Sequence, residues 1–165
     1  MNGITPFLWF NDQAEEAARF YVSLFRGSRI THVGRVPGSE GEGPDRVQTV
    51  SFELAGQSIT ALNGGPIFQL TPAFSLFVRC SSQGQVDALW ARLTKGGQES
   101  RCGWLVDRFG VSWQIVPERL LELLSDPDPA RSGRAQAAMM TMAKIDLRAL
   151  EEAAGPRTTT RRARA

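Results

Sequence analysis

This chain is poor in the residues that cross-link or chelate. Its 165 residues include two cysteines, one histidine and one tyrosine. Cys80 and Cys102 each sit in an otherwise well-patterned apolar stretch, so no disulfide framework is needed, and both read as reduced thiols. A lone histidine, His32, excludes a His-rich metal centre. No apolar run approaches the roughly 18 residues of a membrane span, so no membrane partner is expected. The first residues, Met1 to Pro6, lack the basic start and long apolar stretch of a secretory leader, which makes cytoplasmic the expected location. Charge of one sign is scarce as well. The formal net charge is +2, but Arg157, Arg161, Arg162 and Arg164 in the last eleven residues turn a net −2 into that value. The body therefore carries no electrostatic footprint for nucleic acid. The tail, residues 155–165, reads as a solvated, disordered end.

What is present is pattern. Hydrophobic residues make up 42% of the chain, enough for one well-buried domain or two small modules. A short apolar strand over Ile4–Phe10 leads into a helix in which Asp12 is the expected N-cap and Glu15 completes a capping box. Ala14, Ala17, Ala18, Tyr21, Leu24 and Phe25 follow at helical spacing. Strands are expected over Ile30–Val36, Arg46–Leu54 and Gln57–Leu62, the last two joined at Ala55-Gly56, with a glycine- and proline-rich loop over residues 37–44. The pattern then begins again. A strand over Ala73–Cys80 precedes a Ser82/Gln85 capping box and a stripe of Val86, Leu89, Trp90 and Leu93, and a hairpin closes the unit. Strand–helix–strands, repeated, points to an α+β fold of duplicated βαβββ modules, about 4–66 and 72–117, rather than to an alternating parallel sheet. Residues 118–154 read as a helical extension, with helices over Glu118–Ser125, Gly133–Ala143 and Asp146–Ala154 and a deformable Met139-Met140-Thr141-Met142 run packed on the domain or on a second subunit.

The hairpin from Cys102 to Pro117 is the most informative stretch. If Arg108, Phe109 and Gly110 form its loop, Asp107 pairs with Val111 and Trp104 lies opposite Gln114. Alternation then places Cys102, Trp104, Ser112 and Gln114 on one face and Trp113 and Ile115 on the other.

Three segments carry a family resemblance: Phe7-Leu8-Trp9-Phe10-Asn11-Asp12-Gln13-Ala14-Glu15-Glu16-Ala17, Ala61-Leu62-Asn63-Gly64-Gly65-Pro66, and the hairpin itself. Together they resemble the PhnB-like family of the vicinal-oxygen-chelate (glyoxalase/bleomycin-resistance/dioxygenase) superfamily, over about Ile4 to Ala153. Members are often named 3-demethylubiquinone-9 3-methyltransferase. The resemblance implies paired βαβββ modules forming a curved mixed sheet around a cleft, one domain over residues 1–117, and commonly a homodimer. It also implies four cleft-facing positions where metal-using relatives place His, Gln or Glu. By order and spacing these fall near Thr5, Thr60 or Ala61, Ala73 or Phe74, and Gln114. Gln114 alone is of a ligand type, so no metal and no cofactor are expected. The glycines sit in hairpin turns and helix ends rather than on a strand-to-helix nucleotide turn, against a methyl-transfer cofactor.

If Thr5 faces the cleft, Phe7 and Trp9 do too, with Leu8 and Phe10 turned to the helix. Ala73, Ser75 and Phe77 follow on the second module. Phe7, Trp9, Asn63, Phe77, Cys102, Trp104 and Gln114 are therefore the expected lining of a site for a small, partly apolar molecule. Cys102 has no base in the sequence to activate it. Three readings stay open: a small-molecule binder, a metal-independent or atypical enzyme, and a dimeric protein with a vestigial cleft.

Overall fold

The structure is a computed structural model that describes residues 3–37 and 45–156. Residues 157–165 of the basic tail and nearly all of the glycine- and proline-rich loop lie outside the described residues. The chain divides into two compact units, Met1–Thr71 and Pro72–Ala165.

The first unit runs β1 (Phe7–Phe10), α1 (Ala14–Val22), β2 (Arg29–Val36), β3 (Arg46–Leu54) and β4 (Gln57–Asn63). Its sheet has the order β1-β4-β3-β2, with β1 parallel to β4 and the other pairs antiparallel. Period-two alternation sends Leu8, Phe10, Val50, Phe52, Ile59 and Ala61 to one face, all buried. On α1 the buried residues are Ala14, Ala17, Ala18 and Tyr21. Three alanines on one stripe let the helix lie close to the sheet. Ala55 and Gly56 both have positive φ (49° and 87°), the two-residue turn whose twist suits a hairpin.

α1 differs from expectation at its start. Its N-cap is Gln13, with no side-chain cap from Asp12 or Gln13. The amide of Ala14 instead donates to Oδ1 of Asn63, at the far end of β4, over 2.8 Å. A tertiary acceptor has displaced the local capping box.

The second unit repeats the order: β5 (Leu76–Cys80), α2 (Gln83–Leu93), β6 (Gln98–Glu99), β7 (Trp104–Val106) and β8 (Ser112–Pro117). Its sheet is β5-β8-β7-β6, again with the first pair parallel. Here the capping box forms. Ser82 accepts from the Gln85 amide, and the Gln85 side chain accepts from the Ser81 amide. β5 begins three residues later than expected, so Ala73, Phe74 and Ser75 precede the strand. Two sheets of identical strand order, each with its helix, make the fold α+β and the repeat a structural duplication.

Beyond Pro117 come α3 (Glu118–Leu124), α4 (Pro129–Met139) and α5 (Leu147–Ala154). α4 starts four residues earlier than its apolar pattern suggests, because Asp128 caps Ala130 and Arg131 and Pro129 fits the first helical position. Leu120, Leu123, Ala135, Ile145, Leu150 and Ala154 share a core with Val116 of β8, and Met139 and Met142 pack against it. Arg131 forms a buried ion pair with Asp126, and Arg131 and Arg134 donate to carbonyls at the end of α5, where a cation favours the helix dipole. Gln83 of α2 fastens the following connection: it donates to the Ile145 carbonyl and accepts from the Leu147 amide. Among the described residues no helix is long and apolar enough to cross a membrane.

Candidate functional site

In each unit one sheet face is covered by its helix and the other carries the residues of interest. On the first, the register aligns Phe7, Thr60, Ser51 and His32 in one row and Trp9, Leu62, Thr49 and Gly34 in the next. Phe7 is 58% exposed. Ser51 and Thr60 share a hydroxyl contact of 3.3 Å. His32 is a residue that sequence reasoning set aside. It sits on the outer strand, but the register places it in line with Ser51 and Thr60. Only strand order could reveal this, since β2 is remote in sequence from β4 and beside β3.

Trp9 is held from two sides. Its indole N–H donates to the Gly65 carbonyl at 2.9 Å, and Phe68 meets its ring edge-on at 5.0 Å between centroids. Gly64 lies under the ring: a Cβ there would fall 2.2 Å from the indole. The Asn-Gly-Gly sequence after β4 is thus a seat for Trp9. Beside it opens a pocket of about 790 Å³, lined by Trp9, Val36, Val47 and Leu62 with Asn11, Asp12, Glu15, Arg46 and Gln48 among its polar residues. Glu15 is held by Arg19 and Arg35. Asn63 borders the pocket, yet both ends of its amide are engaged, Oδ1 by Ala14 and Nδ2 by the Val47 carbonyl at 3.1 Å. Its work is to tie β4 to α1 and β3.

In the second unit the hairpin follows the expected register. Trp104 pairs with Gln114, the Asp107 amide donates to the Val111 carbonyl, and Gly110 has φ 86°. Trp113, Ile115 and Leu105 are fully buried. Phe77, Gln114 and Trp104 lie side by side across β5, β8 and β7, with Phe77 49% exposed. Gln114 Nε2 donates to Ser75 Oγ at 2.9 Å, which leaves its Oε1 as an acceptor on that face. Ser112 Oγ is buried without a hydrogen-bond partner.

Two assignments change. Asp107 is more than a turn residue. Only 3% exposed, it accepts from the Phe109 and Val111 amides through Oδ1 and from the Trp113 indole through Oδ2. Cys102 leaves the Phe77–Gln114–Trp104 row. The strand starts at Trp104, and Cys102 has φ 59° in a turn closed by the Trp104 amide on the Arg101 carbonyl. Its amide and that of Gly103 donate to the Met142 and Ala143 carbonyls. Cys80 is buried, and desolvation, with Glu118 adding to it, pushes its thiol up to about 11.

The donor set does not match the superfamily's metal. Thr60 and Ala61 offer no imidazole or carboxylate, Gln114 keeps only its Oε1 as an acceptor while its Nε2 donates to Ser75, and among the described residues no three of His, Cys, Asp or Glu stand together.

The family model described as 3-demethylubiquinone-9 3-methyltransferase matches residues 2–116. A PhnB protein from Bacillus cereus, named a 3-demethylubiquinone-9 3-methyltransferase, is 34% identical. The match covers 70% of this chain and 99% of that one, with a TM-score of 0.64. Protein PA1353 of Pseudomonas aeruginosa shares the fold at 20% identity, with 72% and 98% covered and a TM-score of 0.59. A Staphylococcus aureus protein is 32% identical over 69% of this chain and 95% of its own, with a TM-score of 0.30. No curated protein matches. The resemblance read from the sequence reached Ala153, whereas the family model ends at residue 116, so α3–α5 are an addition to it. Three motifs in order, two βαβββ units, the family model and the Bacillus cereus match agree: the chain belongs to the 3-demethylubiquinone-9 3-methyltransferase family, the PhnB-like branch of the vicinal-oxygen-chelate superfamily.

Proposed function

We propose that this PhnB-like protein binds a small, partly apolar organic molecule beside Trp9, without the metal of its superfamily. The supporting observation is the open pocket of about 790 Å³ walled by Trp9, Val36, Val47 and Leu62, within the usual size range of small-molecule sites. A fixed indole offers a planar apolar surface at little entropic cost. Asn11, Gln48 and Arg46 supply polar contacts that orient an occupant. The positions available for metal support the metal-free reading, since threonine and alanine supply no imidazole or carboxylate and Gln114 stands alone as a ligand type.

A thermal-shift screen with metabolites and divalent metals tests it. Stabilising organic ligands should lose their effect in Trp9→Leu and keep it in Trp104→Leu. Strong stabilisation by Ni²⁺, Zn²⁺ or Mn²⁺ alone would overturn the metal-free reading, and ligand shifts unaffected by Trp9→Leu would overturn the site.

A second reading, a metal-independent enzyme, is favoured by the row of Phe77, Gln114 and Trp104, where Ser75 orients a single amide between two aromatic residues. For that reading Gln114→Ala should abolish turnover and leave ligand affinity intact. The family's methyltransferase name gains no support from the turn after β4, where Gly64 and Gly65 lead to Pro66 and no helix follows. A homodimer is part of the proposal. β1 and β5 each have one strand neighbour within their sheets and expose Phe7 and Phe77, and open edges of this kind pair with further strands.

A further inference from the structure

We propose that Cys102 and Met140 form a two-sulfur site for a soft monovalent metal ion of the Cu(I) or Ag(I) type. The two residues are 38 apart in sequence, yet Cys102 Sγ lies 3.7 Å from Met140 Sδ. Met140 is 53% exposed and Cys102 is partly exposed, so both sulfurs are within reach of solvent.

The arrangement is held by backbone. Cys102 occupies the left-handed region at φ 59°, a conformation a non-glycine residue seldom adopts. The turn is pinned because the Cys102 and Gly103 amides donate to the Met142 and Ala143 carbonyls, each at 2.8 Å. Gly103 must remain glycine, since a Cβ there would lie 2.8 Å from the Ile115 carbonyl oxygen. Gln83 fixes the same connection two residues further on. Met140 follows directly on α4, so its sulfur is delivered by the helices beyond residue 116, where the family model ends.

The choice of ion follows from the donors. Thiolate and thioether are soft donors suited to Cu(I)-type ions rather than magnesium, two sulfurs fall short of the four ligands of a structural zinc site, and no carboxylate or imidazole cluster completes one among the described residues. With metal–sulfur bonds of about 2.3 Å, the observed sulfur separation gives an S–M–S angle of about 107°. That angle leaves a coordination position open for water or a small thiol. On binding, the Cys102 thiol releases its proton to solvent and the thiolate bonds the ion. The Met140 lone pair turns from the S–H to the metal, and no electron is transferred. Cys80, buried and with its thiol pushed up to about 11, is no competitor.

Ag(I) titration of the full chain carrying methyl-¹³C methionine tests the site. One ion should bind per chain, releasing one proton in calorimetry and shifting the Met140 methyl signal, which Met140→Leu identifies. Cys102→Ser should abolish binding. Met140→Leu should weaken it at least tenfold while Cys102 still reacts with iodoacetamide at the wild-type rate. A static Met140 signal, or unchanged affinity in either variant, would overturn the proposal.

Discussion

Asp107 shows how one side chain can organise a hairpin. Its two oxygens collect two backbone amides and an indole N–H in a buried turn, so the carboxylate must remain an acceptor on both sides. In Asp107→Asn one oxygen becomes an NH₂ group facing a donor. A loss of about 2–3 kcal/mol is expected, read as a lower urea midpoint at unchanged slope. Gly64 works by absence. Gly64→Ala drives a methyl into the Trp9 ring and should red-shift tryptophan emission while displacing any ligand that stacks there. The cysteines should separate by reagent. Cys102 should alkylate in the native state and Cys80 only on unfolding. Because the folded Cys80 pKa of about 11 lies above the ordinary thiol value of 9.0, the neutral thiol's contribution is complete below pH ~9 and lost as pH rises through about 11. The Asp107 and Cys102 environments were not legible from sequence. Alternation gives the face of a strand residue, but neither the left-handed turn at Cys102 nor the burial of Asp107 in its turn follows from it.

At the scale of elements, legibility followed locality. The Arg46–Leu54 strand, the Ala55-Gly56 turn and the α2 capping box were readable because their determinants lie within a few residues. The α1 cap was not, because Asn63 comes from 49 residues away. Asn63→Ala should cost about 1–2 kcal/mol through the orphaned Ala14 amide, a drop that Asp12→Ala should not reproduce. The link between α2 and the extension carries a pH signature. Hydrogen bonds from Lys144 and Gln83 hold Asp87 below the usual carboxylate range. A carboxylate with a depressed folded pKa stabilises above its unfolded value near 4 and loses that effect as pH falls through the folded value. The difference in urea midpoint between wild type and Asp87→Asn should therefore shrink below pH ~4 and be small throughout, since the pair is exposed and screened.

For the whole molecule, the duplication was legible and its extent was not. Repeated strand–helix patterns announced two βαβββ units, and three motifs announced the family, but nothing in the motifs marks where the family ends. The helices after Pro117 satisfy the Cys102 and Gly103 amides and share a core with Val116. A chain cut after Pro117, though as long as the relatives' matched region, should lose at least ~3 kcal/mol in its second unit, or roughly 6–12 °C in Tm. Circular dichroism melts of the two lengths would measure it.

The bond from Ala14 to Asn63 also dictates an order of events. α1 is synthesised early, yet its first amide finds its acceptor only when the last residue of β4 arrives, and the Trp9 indole waits for Gly65. Contacts of such long sequence separation slow folding. On the ribosome, α1 and β1 must stay provisional until about fifty further residues have emerged. Closure of the first unit then waits on its own final strand.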